Sequence, residues 1–198
     1  MADIDYYFFT ISPFTYLAGL RMEALAEKHG ATVAYKPIAL MKVFEATGTL
    51  PPGQRHPSRQ AHRLQEIERT AKLADMAVTV KPAHFPTNAV PSMSAVIAAQ
   101  DAGGGDLPGL VHGYTRACWA EEKDIAEDAV VKEVLAANGF DPALADSGML
   151  TGSETIEKNT AEALERGVFG SPTYVVGDQI IWGQDRLDHL DHCLSNRA

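Results

Sequence analysis

Two β-prone stretches at opposite ends of the chain, with only helical periodicity between them, restrict this sequence more than any other feature. Ile4 to Phe9 (IDYYFF) is short and aromatic and reads as a strand. Ser12-Pro13 follows, a favoured N-cap and then a proline suited to the first helical position. Leu17, Leu20, Ala24 and Leu25 keep helical spacing up to Gly30, so one helix is expected there. Thr32 to Lys36 (TVAYK) reads as a second strand, closed by Pro37. Strand, helix, strand implies parallel strands joined by a right-handed crossover.

From about Leu40 to Gly167 almost every periodic segment is helical. Leu64, Ile67, Ala71 and Ala74 make one stripe, and Leu110, Val111, Tyr114, Ala117 and Cys118 another. Thr151 and Glu154 have capping-box spacing ahead of Ile156, Thr160, Ala163 and Leu164. The end returns to β. Thr173 to Val176 and Gln179 to Trp182 flank Gly177-Asp178, a two-residue hairpin turn. Asp185 then reads as the cap of a last helix carrying Leu187, Leu190 and Leu194. A β-α-β half and a β-β-α half make an α/β fold with a four-stranded thioredoxin-like sheet. Residues 1–40 and 168–198 supply the sheet domain, and 41–167 form a large all-helical insertion.

Composition narrows the function. Seventeen Lys and Arg stand against 26 Asp and Glu, for a net charge of −9, which argues against a general nucleic-acid binder. No apolar run approaches the ~20 residues needed to span a bilayer. Met1-Ala2-Asp3-Ile4-Asp5 is acidic and enters a strand pattern at once, so no signal peptide and a cytoplasmic location are expected. Cys118 and Cys193 lie far apart and neither belongs to a C-x-x-C pair. That excludes a disulfide scaffold and a four-cysteine zinc site, disfavours a disulfide oxidoreductase, and leaves no metal expected.

In a thioredoxin-like sheet the loop after the first strand delivers the N–H groups of the first helix, a place that favours negative charge. A thiolate there is stabilised, which is how redox members of the fold depress a cysteine pKa. This chain puts Ser12-Pro13-Phe14-Thr15 at that point. A serine hydroxyl cannot exchange disulfides, but it can donate to a thiolate that a ligand supplies. Ser12 is a cap, a thiolate donor, or both. The second element is Gly167-Val168-Phe169-Gly170-Ser171-Pro172-Thr173, in which a proline stands directly before a strand and is cis or an ordinary trans turn. A cis Pro172 would lie beside the first-helix N-terminus and leave the backbone of Ser171 free to pair with an extended peptide. Asp185 and Arg186 either cap the last helix or hold the ammonium and carboxylate of an amino-acid-like group.

Asp5-Tyr6-Tyr7-Phe8 leading to Ser12-Pro13-x-x-Tyr16-Leu17, together with Gly167 to Thr173 leading to Trp182-Gly183-Gln184-Asp185-Arg186, resembles the 2-hydroxychromene-2-carboxylate isomerase family and its relative, the kappa-class glutathione transferase. The resemblance covers nearly the whole chain. It implies a homodimeric enzyme that binds glutathione and acts on a small aromatic substrate. The family reaction interconverts 2-hydroxychromene-2-carboxylate and trans-o-hydroxybenzylidenepyruvate. By this resemblance Ser12 lies near the glutathione sulfur, Ser171 before a cis Pro172 pairs with the tripeptide backbone, and Asp185 and Arg186 meet its γ-glutamyl end. Gly48-Thr49 stands where family members often have Gly-Asn. Arg59 takes the place of a lysine that contacts glutathione, and His62 that of a nearby tyrosine. Two alternatives stay open at this point: a kappa-like transferase, and a non-catalytic glutathione- or peptide-binding module.

Overall fold

The computed structural model describes residues 2–196. In chain order the elements are β1 (Ile4–Phe8), α1 (Pro13–Ala18), α2 (Arg21–Lys28), β2 (Val33–Pro37), α3 (Leu40–Ala46), α4 (Pro57–Leu73), α5 (Val90–Ala102) and α6 (Leu107–Trp119). After them come α7 (Asp128–Ala137), α8 (Leu144–Ser147), α9 (Met149–Glu165), β3 (Thr173–Val176), β4 (Gln179–Trp182) and α10 (Leu187–Ser195). The sheet runs β2-β1-β3-β4. β1 and β2 are parallel, whereas β3 is antiparallel to both β1 and β4. The thioredoxin-like order expected from the two β-rich ends is therefore present.

β1 is buried on both faces because its side chains serve two cores. Ile4, Tyr6 and Phe8 point into the larger one. There Tyr6 stacks on Phe8 and Tyr174 and meets Tyr35 edge-on, among apolar residues of α1, α2, α5, α6 and α10. Tyr7 faces the other way, onto Val43 and Phe44 of α3, Ala163 of α9, Val168 and Val175. Asp5 shares that face and is buried, with Lys36 at 3.0 Å and Arg166 at 2.7 Å. Lys36 also meets Glu162, whose carboxylate accepts from the Tyr7 hydroxyl. These charges bolt β1 and β2 to the C-terminal end of α9.

Three local expectations are corrected. The single helix expected from Ser12 to Gly30 is two, because Gly19 takes a left-handed φ of 59° and ends α1. Arg21 then donates to the terminal carbonyls of Leu17 and Ala18, closing α1 from the next turn. Thr151 caps nothing. α9 begins earlier, at Met149, and Gly148 before it is already helical because α8 runs almost directly into α9. Asp185 does not cap α10 either; Arg186 is the N-cap residue and makes no side-chain cap bond. The α5–α9 approach is close enough that a Cβ on Gly152 would collide with Ser94. No helix among the described residues is long and apolar enough to cross a membrane.

Glu23 of α2 lies under the aromatic cluster. It accepts from the Tyr35 hydroxyl at 3.1 Å, and its other oxygen is buried without a partner among the described residues. Burial pushes its carboxyl up to about 7, opposed by its own backbone and the Tyr35 bond, and Asp106 adds repulsion.

Two outcomes follow from this core. Folded Glu23 keeps a proton that the unfolded chain releases near pH 4.5, so its contribution of roughly 3 kcal/mol is full below that pH and fades as pH rises to about 7. Urea denaturation across that window should show this decline, and Glu23→Gln should flatten it. Asp5→Ala leaves two half-buried cations short of counter-charge and should cost about 3 kcal/mol in the same assay.

Candidate active site

The loop from β1 to α1 turns sharply, with the Ser12 N–H donating to the Phe9 carbonyl at 2.9 Å. Ser12 has an extended backbone (φ −79°, ψ 124°), and its Oγ accepts from the Thr15 N–H at 3.3 Å, an N-cap with Pro13 in the first turn. The indole N–H of Trp119 donates to the Ile11 carbonyl and holds the loop from the α6 side. Tyr16 fixes the other side of the helix, donating to the Ala77 carbonyl at 2.6 Å and stacking on His112.

The second segment meets this loop. The Ser171–Pro172 peptide is cis. Ser12 is only 6% exposed, and its hydroxyl reaches the Ser171 carbonyl at 3.5 Å. Thr15 and Ser171 share a buried hydrogen bond between their hydroxyls at 3.0 Å. The Ser171 N–H has no partner among the described residues, and its carbonyl holds only that long Ser12 contact. A backbone donor and acceptor are thus open on the cis-proline segment, as pairing with an extended peptide requires.

The third segment is tied to the second through the backbone. The Gly183 N–H donates to the Pro172 carbonyl at 2.9 Å, and Arg21 holds Gln184 through both its backbone and side-chain oxygens. Asp185 and Arg186 follow, exposed and paired with each other at 2.8 Å. Trp182 is 51% exposed and rests against Phe169, itself 41% exposed, at a ring distance of 5.0 Å. Ser12, Ser171, Pro172 and the Asp185-Arg186 pair are therefore linked within one region.

Arg59 lies in the first turn of α4, which packs on α1, and it is exposed, with no side-chain bond to the Ser12 or Ser171–Pro172 segments among the described residues. Sequence reasoning missed its neighbour Arg63, whose guanidinium lies 5.9 Å from the Phe14 ring. The signal was available: Arg63 stands four residues beyond Arg59, on the same helix face. Thr15 was missed as well, although it sits at the capping distance from Ser12. His62 faces solvent near Glu66 rather than the site. A cleft of about 430 Å³ opens at the C-terminal ends of β1 and β2, between α3, α5 and α9, and meets the Ser12 loop only through Phe9.

The Cys118 thiol is not fit to replace the hydroxyl. Cys118 is buried, and burial pushes its thiol up to about 12. Among the described residues no group of three or more His, Cys, Asp or Glu could hold a metal ion, and His189 and His192 both face solvent.

Sheet order, a capped first helix and a cis proline beside it define a thioredoxin-like domain of the DsbA type. The family model for the DsbA-like thioredoxin domain matches residues 3–195. The 2-hydroxychromene-2-carboxylate isomerase of Pseudomonas putida is 31% identical, across 96% of this chain and 93% of its own length. A solved structure of 2-hydroxychromene-2-carboxylate isomerase superposes with a TM-score of 0.79 at 26% identity, covering 97% of this chain and 94% of that one. Glutathione S-transferase kappa 1 of Caenorhabditis elegans is 35% identical over 80 residues, 40% of this chain and 35% of that protein. The chain belongs to the 2-hydroxychromene-2-carboxylate isomerase family, within the DsbA-like thioredoxin domains, and that membership supports an isomerase.

Ser171→Ala removes the hydroxyl that Thr15 pairs with and should lower the unfolding free energy by about 1 kcal/mol. Denaturant midpoints equal to those of the parent would show that this bond does not hold the two segments together.

Proposed function

We propose that this protein is a glutathione-dependent isomerase that interconverts 2-hydroxychromene-2-carboxylate and trans-o-hydroxybenzylidenepyruvate, or a closely similar aromatic catabolite. The observation that carries the reading is the buried Ser12 hydroxyl, set at the first-helix cap against the carbonyl that precedes cis Pro172. That hydroxyl occupies the place where redox members of the fold keep a thiolate.

The residues present fit glutathione. The open backbone of Ser171 suits an extended tripeptide. Asp185 and Arg186 offer one charge of each sign to the γ-glutamyl ammonium and carboxylate, exchanging their mutual pair for the ligand's charges. Arg59 has no carboxylate partner among the described residues and suits the glycyl carboxylate. When bound there, glutathione would supply a nucleophilic thiolate suited to reversible conjugate addition, the covalent chemistry that frees rotation about a double bond.

The protein's own work is then electrostatic and steric. Ser12 Oγ–H can turn from the Ser171 carbonyl toward the sulfur, because its present contact is long and easily exchanged. The donated hydrogen bond favours the ionised thiol and lowers its pKa. Burial of Ser12 and Ser171 excludes bulk water, so this donor counts for more than it would in solvent. Phe169 and Trp182 offer exposed aromatic surface beside the cis-proline segment.

A second reading is transfer of glutathione to electrophiles, favoured by the kappa-class relative. It shares the thiolate and differs in whether the adduct is released. Calorimetry with glutathione and an absorbance assay on the chromene carboxylate separate the two: turnover without consumption of glutathione is expected. Ser12→Ala should lower turnover about a hundredfold, the usual loss when one donor to a developing charge is removed. It should also raise the pKa of the bound thiol. An unchanged thiol pKa would remove Ser12 from the chemistry.

A further inference from the structure

The first half of α4 and the loop before it carry Arg55, Arg59 and Arg63 in a protein of net charge −9. None of the three pairs with a carboxylate among the described residues. Farther along the same helix the pattern reverses, and Arg69 meets Glu66 while Lys72 meets Glu68. Lack of counter-charge is therefore confined to the end of α4 that faces α1.

Arg55 and Arg63 are also the least solvated of the three. Arg63 is half-buried against the Phe14 ring, two residues beyond Ser12. Arg55 lies over the Phe44 ring at 5.6 Å and donates to the Leu50 carbonyl. Burial and the Arg55 charge push Arg63 down to about 10, and Arg55 is itself pushed down by burial and by Arg59. The cations thus repel one another without a protein acid to offset them. Aromatic faces compensate a desolvated guanidinium only in part. A bound carboxylate would offset these charges, since a guanidinium fork matches its two oxygens.

We propose that Arg55 and Arg63 form a subsite for the carboxylate of the aromatic substrate and set a preference for anionic over neutral electrophiles. The proposal rests on the glutathione-dependent reading for its chemical role. In a substrate of the arylidene-pyruvate class the keto oxygen sits on the carbon next to the carboxylate. A guanidinium that grips the carboxylate then lies beside the oxygen where negative charge develops, and it helps the reaction as well as binding. Arg59, exposed and one turn from Arg63, is left for the cofactor's own carboxylate.

The test uses 3-phenylpropanoate and its amide, which have an aromatic ring but no double bond for a thiol to attack. Calorimetry is run on the full chain with and without saturating glutathione. The parent should bind the acid at least tenfold tighter than the amide. Arg63→Met and Arg55→Met, which keep the apolar stem, should each bring acid and amide to within twofold. Glutathione affinity should stay within twofold, and both variants should melt at or above the parent temperature because repulsion is relieved. Arg63→Lys should retain part of the acid preference. Equal binding of acid and amide by the parent overturns the proposal, as does a variant that weakens both equally. Loss of glutathione affinity in Arg63→Met assigns these arginines to the cofactor and also overturns it. Failure of the parent to bind glutathione at all would end the isomerase reading, while the acid–amide comparison without glutathione still decides the subsite.

Discussion

The junction between the Ser12 loop and the Ser171–Pro172 segment governs the molecule. Residues far apart in sequence meet there through Ser12 Oγ to the Ser171 carbonyl and through the Thr15–Ser171 hydroxyl pair. The Gly183 N–H closes on the Pro172 carbonyl and brings the Asp185-Arg186 turn alongside. The Thr15–Ser171 and Gly183–Pro172 bonds are modest, worth about 1 kcal/mol net each, and the 3.5 Å Ser12 contact is weaker. Together they fix a buried hydroxyl, an open stretch of backbone and a charge pair in one place. β1 makes this possible because both of its faces are buried and its end cannot drift.

Charge on this acidic chain is arranged unevenly. Asp5, Lys36, Glu162 and Arg166 neutralise one another where β1 meets α9. The first part of α4 is left cationic instead, against Phe14 and Phe44. Placing unmatched guanidinium groups in partly desolvated surroundings costs stability, and such a cost is repaid when an anion binds. Net charge therefore says little about this site; local pairing says more.

Much of the fold was readable from residue patterns, for identifiable reasons. Aromatic and β-branched runs bounded by Pro and Gly mark all four strands, and Ser12-Pro13 marks the start of α1. Gly19 hid because a glycine inside a helical pattern is compatible with continuation, and only its left-handed φ shows the break. Thr151 misled because capping-box spacing is local, whereas α9 starts from the preceding helix. The meeting of Ser12 with Ser171-Pro172 was legible because each sits in a short motif with a fixed place in this fold. Spacing alone puts Arg63 on the same helix face as Arg59, but its further meaning comes from the Phe14 ring beneath it and from the lack of an acid partner among the described residues, which are properties of packing.

The central claim is that this protein cradles a thiol it does not own. Titration of the ultraviolet thiolate absorbance of glutathione bound to the unaltered chain tests it most directly. The bound thiol should ionise well below the ~8.5 of an unperturbed thiol. A bound thiol that ionises no earlier than in free solution would contradict the account.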